Sequence, residues 1–235
     1  VTTQAPLPPP SLPDTADVAV LADYGAPLLQ ALARRETPLP PGAGEGLVAA
    51  LARIALALQA GNPAQIRQQE GWWGRLLGRD VDREAEGRAL QSQLGVLALQ
   101  AREQAQHLQQ HVQLRAMAIA GHSAAAAALD AWVELAAARL VSLDIAGQAA
   151  LSQRLDHLRR LATLRRLEAG QWQLLQDQDN VLLQRFARIH DVLLPAWRQA
   201  AVAGQAAAGA TLAVKAATLH AQIDDEVAAA QARLP

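Results

Sequence analysis

The 235-residue chain has no cysteine. That excludes a disulfide framework, zinc–thiolate sites, iron–sulfur clusters, thiol nucleophiles and any cysteine-based reduction of a substrate. Phe and Tyr occur once each. Their scarcity argues against a sandwich or barrel, because strands draw on aromatic and β-branched side chains. Neither sign of charge dominates: 21 Lys and Arg stand against 22 Asp and Glu. A net charge of −1 does not fit an electrostatic nucleic-acid binder. All 12 prolines lie at or before Pro63, at Pro195 or at Pro235. Proline inside a helix costs about 3 kcal/mol, so the 131 residues between Pro63 and Pro195 are free to form very long helices. No apolar run is long enough to span a bilayer. The longest low-charge stretch, Ser123–Ile145, carries Asp130, Glu134, Arg139 and Asp144. Val1–Pro13 lacks the basic head and apolar core of a secretory signal. The expectation is a soluble cytoplasmic protein, with peripheral contact at the inner membrane face left open.

The residues that fill the chain are 54 Ala, 38 Leu and 25 Gln, together half of it and all good helix formers. Alanine at inward positions lets helix axes approach closely but hides little apolar area per helix. Long helices compensate for shallow packing. The fold class expected is therefore all-α, an elongated antiparallel bundle of long, coiled-coil-like helices.

Three regions follow from the breakers. Residues 1–13 form a proline-rich extension, too proline-dense for helix. Residues 14–78 form a small helical region. Asp14, Thr15 and Asp17 offer caps for a first helix reaching about Arg35. A second helix spans about Gly44–Ala60 with Leu47, Leu51, Ile54, Ala55 and Leu58 on one stripe. Pro63 can open a short third helix to about Glu70, and Gly71-Trp-Trp-Gly-Arg-Leu-Leu-Gly78 makes a corner. Residues 79–235 form the long-helix bundle. Leu90, Leu94, Leu97, Ala101, Ala105, Leu108, Val112, Ala116 and Ile119 are spaced 4, 3, 4, 4, 3, 4, 4, 3. That rhythm is nearer an 11-residue repeat than a heptad and predicts a nearly straight helix. Gly121-His-Ser123 marks a break, with Ser123 as a cap, and a further helix reaches about Leu143. A long helix runs from about Gln148 past a kink at Pro195, and a last segment carries Leu212, Leu219, Ile223 and Val227.

Several constellations bear chemistry. Glu103, His107 and His111 share a helix face at i, i+4, i+8, the spacing of a zinc or nickel chelate. Four glutamines surround them, which fits a solvated face and favours the absence of a metal site or any cofactor. Arg154, Arg159, Arg160, Arg165 and Arg166 form the densest basic stretch, with His157 among them. Arginine grips oxyanions, phosphates and acidic partners in a bidentate manner. A solvated or ion-paired face is the alternative. Trp72 and Trp73 are adjacent and cannot share one helix face; either one packs while the other is available to a partner, or, as the favoured reading, both are core residues that clamp the turn. Trp132, Trp172 and Trp197 read as core. His190-Asp191 and His122-Ser123 lack a nucleophile elbow and an oxyanion hole, so no catalytic residues are assigned and an enzyme is not expected.

Four segments carry a resemblance. They are Gly71–Gly78, then Leu155-Asp-His-Leu-Arg-Arg-Leu161, then Gln176-Asp-Gln-Asp-Asn180 with its following leucines and Leu194-Pro-Ala-Trp-Arg-Gln199. In order and spacing they resemble the TelA-like toxic anion (tellurite) resistance proteins over roughly residues 18–230. Gln176, Asn180, Pro195 and Trp197 match that family's C-terminal signature. The chain departs from it in two ways. Glu168–Gln173 has no proline before the Gln/Asn step, and Lys215 is the single lysine where the family is lysine-rich. The resemblance implies a bacterial protein of resistance to tellurite and envelope-directed agents, and supplies no mechanism. With no catalytic motif, long proline-free helices and a net charge of −1, the expectation is a non-enzymatic protein that acts through protein partners, with a membrane surface as a further contact and no nucleic acid. The alternatives are a generic helical adaptor that shares only coiled-coil periodicity with the family, and a metal- or oxyanion-binding protein.

Overall fold

The computed structural model describes residues 6–35, 42–60, 80–206 and 210–232, with side chains at 80–87, 202–206 and 210–213 left aside. Every regular element among them is helical. They are α1 Val18–Ala22, α2 Ala26–Ala33, α3 Gly44–Ala60, α4 Asp80–Ala137, α5 Ile145–Ala187, α6 Leu194–Ala206 and α7 Ala210–Gln231. A 3-10 turn, Leu140–Ser142, precedes α5, and a π-helical turn, Arg188–Leu193, joins α5 to α6. The all-α expectation holds for the described residues.

Compact packing divides the chain into two units: residues 1–40 with 113–176, and residues 41–112 with 177–235. α4 and α5 each contribute one stretch to either unit.

In the first unit, Asp17 caps α1 by accepting the Ala19 N–H at 2.9 Å. The helix expected to run to Arg35 stops at Ala22 and restarts at Ala26. Gly25 sits between them at φ 79°, a left-handed conformation that ends one helix and opens the next. A Cβ there would lie 3.2 Å from Leu158 Cδ1. Leu21, Tyr24 and Leu28 pack onto Leu129 and Trp132 of α4 and Leu151, Leu155 and Leu158 of α5. The Tyr24 hydroxyl donates to the Trp132 carbonyl at 2.8 Å, and Trp132 Nε1 donates to the Pro8 carbonyl at 3.3 Å. These bonds tie the proline-rich extension to the unit. α4 and α5 run antiparallel here: partners descend on α4 from Asp130 through His122 to Arg115 as they ascend on α5 from Arg166 through Glu168 to Trp172. Asp144 caps α5 by accepting the Gly147 N–H at 2.9 Å.

In the second unit, all five predicted stripe residues of α3, Leu47, Leu51, Ile54, Ala55 and Leu58, are buried. They share a core with Leu94, Ala101, Ala105 and Leu108 of α4, Ile189 and Leu193 of the π turn, and Leu194 and Trp197 of α6. Ile223 and Val227 of α7 complete it. Pro195 does not end the helix. The π turn immediately before it takes up the missing N–H and the ring's clash with the preceding turn.

Two expectations about α4 are corrected. Gly121-His-Ser123 is no break, and the helix runs through it. Gly121 faces open space, and its propensity cost of about 1 kcal/mol is small beside the packing of a 58-residue helix. The inward stripe also does not keep its 11-residue rhythm. Ala116 is exposed and Arg115 is buried. From Leu108 the inward positions are Val112, Arg115, Ile119, His122, Ala126, Leu129, Val133 and Ala136, alternating by four and three as in a heptad seam.

Candidate functional site

That heptad rhythm carries charge into the first unit. Arg115, on α4, is 7% exposed. Its guanidinium lies 5.8 Å from the Trp172 ring centroid on α5, a cation–π contact in a site largely closed to water. Two turns further along α4, His122 Nδ1 meets Glu168 Oε2 at 3.0 Å, and Arg165 Nη1 donates to the same oxygen at 3.0 Å. Gln176 follows on α5, and its buried Oε1 accepts no hydrogen bond from the described residues. The facing stripes of α4 and α5 thus hold leucine near the hairpin end and a polar layer next to it. Ring contacts and shared oxygens recognise one register of the two helices, because a slip of one turn would separate Arg115 from Trp172 and His122 from Glu168.

The five arginines of the basic stretch do not form one face. Arg154 Nε donates to the Tyr24 carbonyl at 2.6 Å and holds the α1–α2 bend. Arg165 turns inward to Glu168. Arg159, Arg160 and Arg166 turn outward. Arg159 pairs with Asp156 at 2.8 Å, Arg160 Nε donates to the Asp156 carbonyl at 3.2 Å, and Arg166 pairs with Asp130 across the hairpin. Exposed pairs such as Arg159–Asp156 contribute at most about 1 kcal/mol, so these side chains can exchange partners readily.

The remaining candidates are scattered. The His107 and His111 rings lie in a tilted contact, with centroids 4.7 Å apart and planes at 56°. Among the described residues, no three His, Asp or Glu side chains converge to hold a metal ion. His190 and Asp191 form a pair at 2.6 Å on the π turn. They line a cleft of about 380 Å³ with Arg102, Gln106, Gln109 and Phe186, which supplies no hydroxyl nucleophile. Trp132 and Trp197 are core, whereas Trp172 is half-buried beneath Arg115. Pro195 is exposed and Asn180 half-buried. Trp72 and Trp73 lie outside the described residues. Among the described residues, no helix is long and apolar enough to cross a membrane.

Arg115 and the Glu226 cluster were not singled out by sequence motifs, and His122 was weighed only beside Ser123, not as a partner of Glu168. Glu226 on α7 takes both Arg185 and Arg188, the latter at 2.7 Å. Continuing the four–three alternation through Gly121 would have placed Arg115 and His122 inward. Nothing local marks Glu226, whose partners lie on another helix.

The chain is similar to Protein KlaA of Escherichia coli, 24% identical over 198 residues that cover 78% of this chain and 77% of the relative. No family model matches the chain. No solved structure matches it.

Proposed function

We infer that this chain is a TelA-like toxic anion (tellurite) resistance protein, non-enzymatic, working in the cytoplasm or at the inner face of the membrane through contacts with other proteins. The observation that carries the reading is the run of matched signature elements, Leu155–Leu161, Gln176–Asn180 and Pro195–Gln199, placed on one helix and its π-turned continuation. The long similarity to KlaA supports a relationship along most of the chain rather than at an isolated motif. The outward Arg159, Arg160 and Arg166 supply cationic groups for acidic partners or head groups. Deleting the gene and challenging the host with tellurite and envelope-active agents tests the reading. Increased sensitivity, restored by the full chain and not by an Arg159/Arg160/Arg166 triple alanine variant, is the expected result. Unchanged sensitivity to every agent removes it.

The second reading is a helical adaptor whose likeness to that family is periodicity alone. The long, alternating α4 and α5 stripes fit it, since such spacing is shared by many coiled coils. Under this reading deletion leaves resistance unchanged, while the full chain still captures a defined partner from extracts of the same host.

A further inference from the structure

The outer face of α5 carries a second seam. Inward, the helix reads Leu151, Leu155, Leu158, Ala162, Arg165, Ala169, Trp172 and Gln176, alternating by four and three. Outward, it reads Arg160, Leu164, Leu167, Gln171, Leu174 and Gln178 with the same alternation. These outward residues are all exposed, and Leu167 and Leu174 are 62% and 66% exposed. From Arg165 onward the inward side carries Arg165, Trp172 and Gln176, while Leu164, Leu167 and Leu174 on the outward side face water. One apolar stripe accounts for a helix packed on one side, and two stripes at heptad spacing call for a helix on each side.

We propose that this outer stripe is a homodimer seam, in which α5 packs antiparallel against α5 of a second copy. The charge arrangement selects the occupant. Arg159, Arg160 and Arg166 lie toward the N-terminal end of the stripe, where Asp156 and Asp130 offset Arg159 and Arg166, and Asp177 lies at its C-terminal end on the same flank as Arg159. Antiparallel pairing about a point near Ala169 sets Leu164 against Leu174 of the second copy, Leu167 against its Gln171, and Arg160 against its Gln178. It also brings Arg159 beside Asp177 of the second copy, twice by symmetry. Parallel pairing would oppose arginine to arginine. An anionic bilayer would attract one end of the stripe and repel the other. The seam is self-complementary only with a reversed copy of itself. It goes beyond the resistance reading and does not depend on it.

Sedimentation equilibrium of the full chain tests the seam. The chain of 24.9 kDa is expected to sediment as a reversible dimer at micromolar concentration. The pair Leu164→Glu and Leu167→Glu should weaken association by at least about tenfold while circular dichroism stays helical. Leu99→Glu, at an exposed leucine on α4, should leave it unchanged. Arg159→Glu and Asp177→Arg should each weaken the dimer, and combining them should restore it. A wild-type monomer at high concentration overturns the proposal. So does a dimer that survives the double leucine variant. A monomer whose Leu174→Cys variant resists thiol labelling, or which floats with anionic vesicles through this stripe, overturns it as well, since the face would then be covered by the chain's own residues or by lipid.

Discussion

Tyr24 is the chain's single tyrosine, and burial pushes its phenol from 10.0 up to about 12. Between those values the folded state retains a proton that the unfolded state has released. Stability is therefore full below pH 10 and declines as pH rises toward 12. Tyr24→Phe should flatten that decline, read as denaturant midpoints across the alkaline range. With one tyrosine and one lysine in the chain, few other groups titrate there. At neutral pH the same variant should lose about 1 kcal/mol with its hydrogen bond to the Trp132 carbonyl. Gly25 makes a second local demand. Gly25→Ala combines a left-handed φ with a 3.2 Å approach to Leu158, and should cost about 1–2 kcal/mol in thermal or chemical unfolding. The glycine's place in a bend was not legible beforehand, since Asp23-Tyr24-Gly25 carries no strong turn signature and the flanking leucines keep helical spacing.

Helices are the level at which the sequence is most readable. The bounds of α3 follow from its flanking breakers and its leucine stripe, and all of its predicted inward residues are buried. α4 is legible in its first half, where Leu94, Ala101, Ala105 and Leu108 are buried as the spacing predicts. Its second half is misjudged at Gly121 and Ala116, because a single glycine weighs less in a helix held by tertiary packing than its propensity suggests. Alanine along this helix sets the distance of closest approach. Ala101 is fully buried against α3 and the elements around the π turn. Ala101→Leu should overpack that seam and cost about 1–3 kcal/mol, measured by chemical denaturation. An unchanged midpoint would mean that the seam has room to spare.

For the molecule as a whole, the two apolar clusters share no residue. Leu155 lies fully buried in the first. Leu155→Ala should lower amide protection in residues 125–136 and 151–162 while residues 47–58 and 223–230 keep theirs, as native-state hydrogen exchange can show. Equal loss in both would show that the clusters open as one unit. The leucine stripe on the outer face of α5 adds a concentration dependence to any such measurement, because a dimer seam stabilises the folded state by mass action.

Composition and breaker placement were enough for the helical class, for the long proline-free elements and for the leucine stripes, because helix formation and amphipathic spacing are properties of neighbouring residues. Packing between distant segments decided the rest. The five clustered arginines parted into inward and outward sets once the helix had a partner on one side, since 100° per residue sends near neighbours to opposite faces. Arg115 came to rest over Trp172, and His122 joined the local Arg165–Glu168 pair, because two helices in a particular register bring together residues that the chain separates by about fifty positions. Those pairings depend on that register, which no single segment encodes.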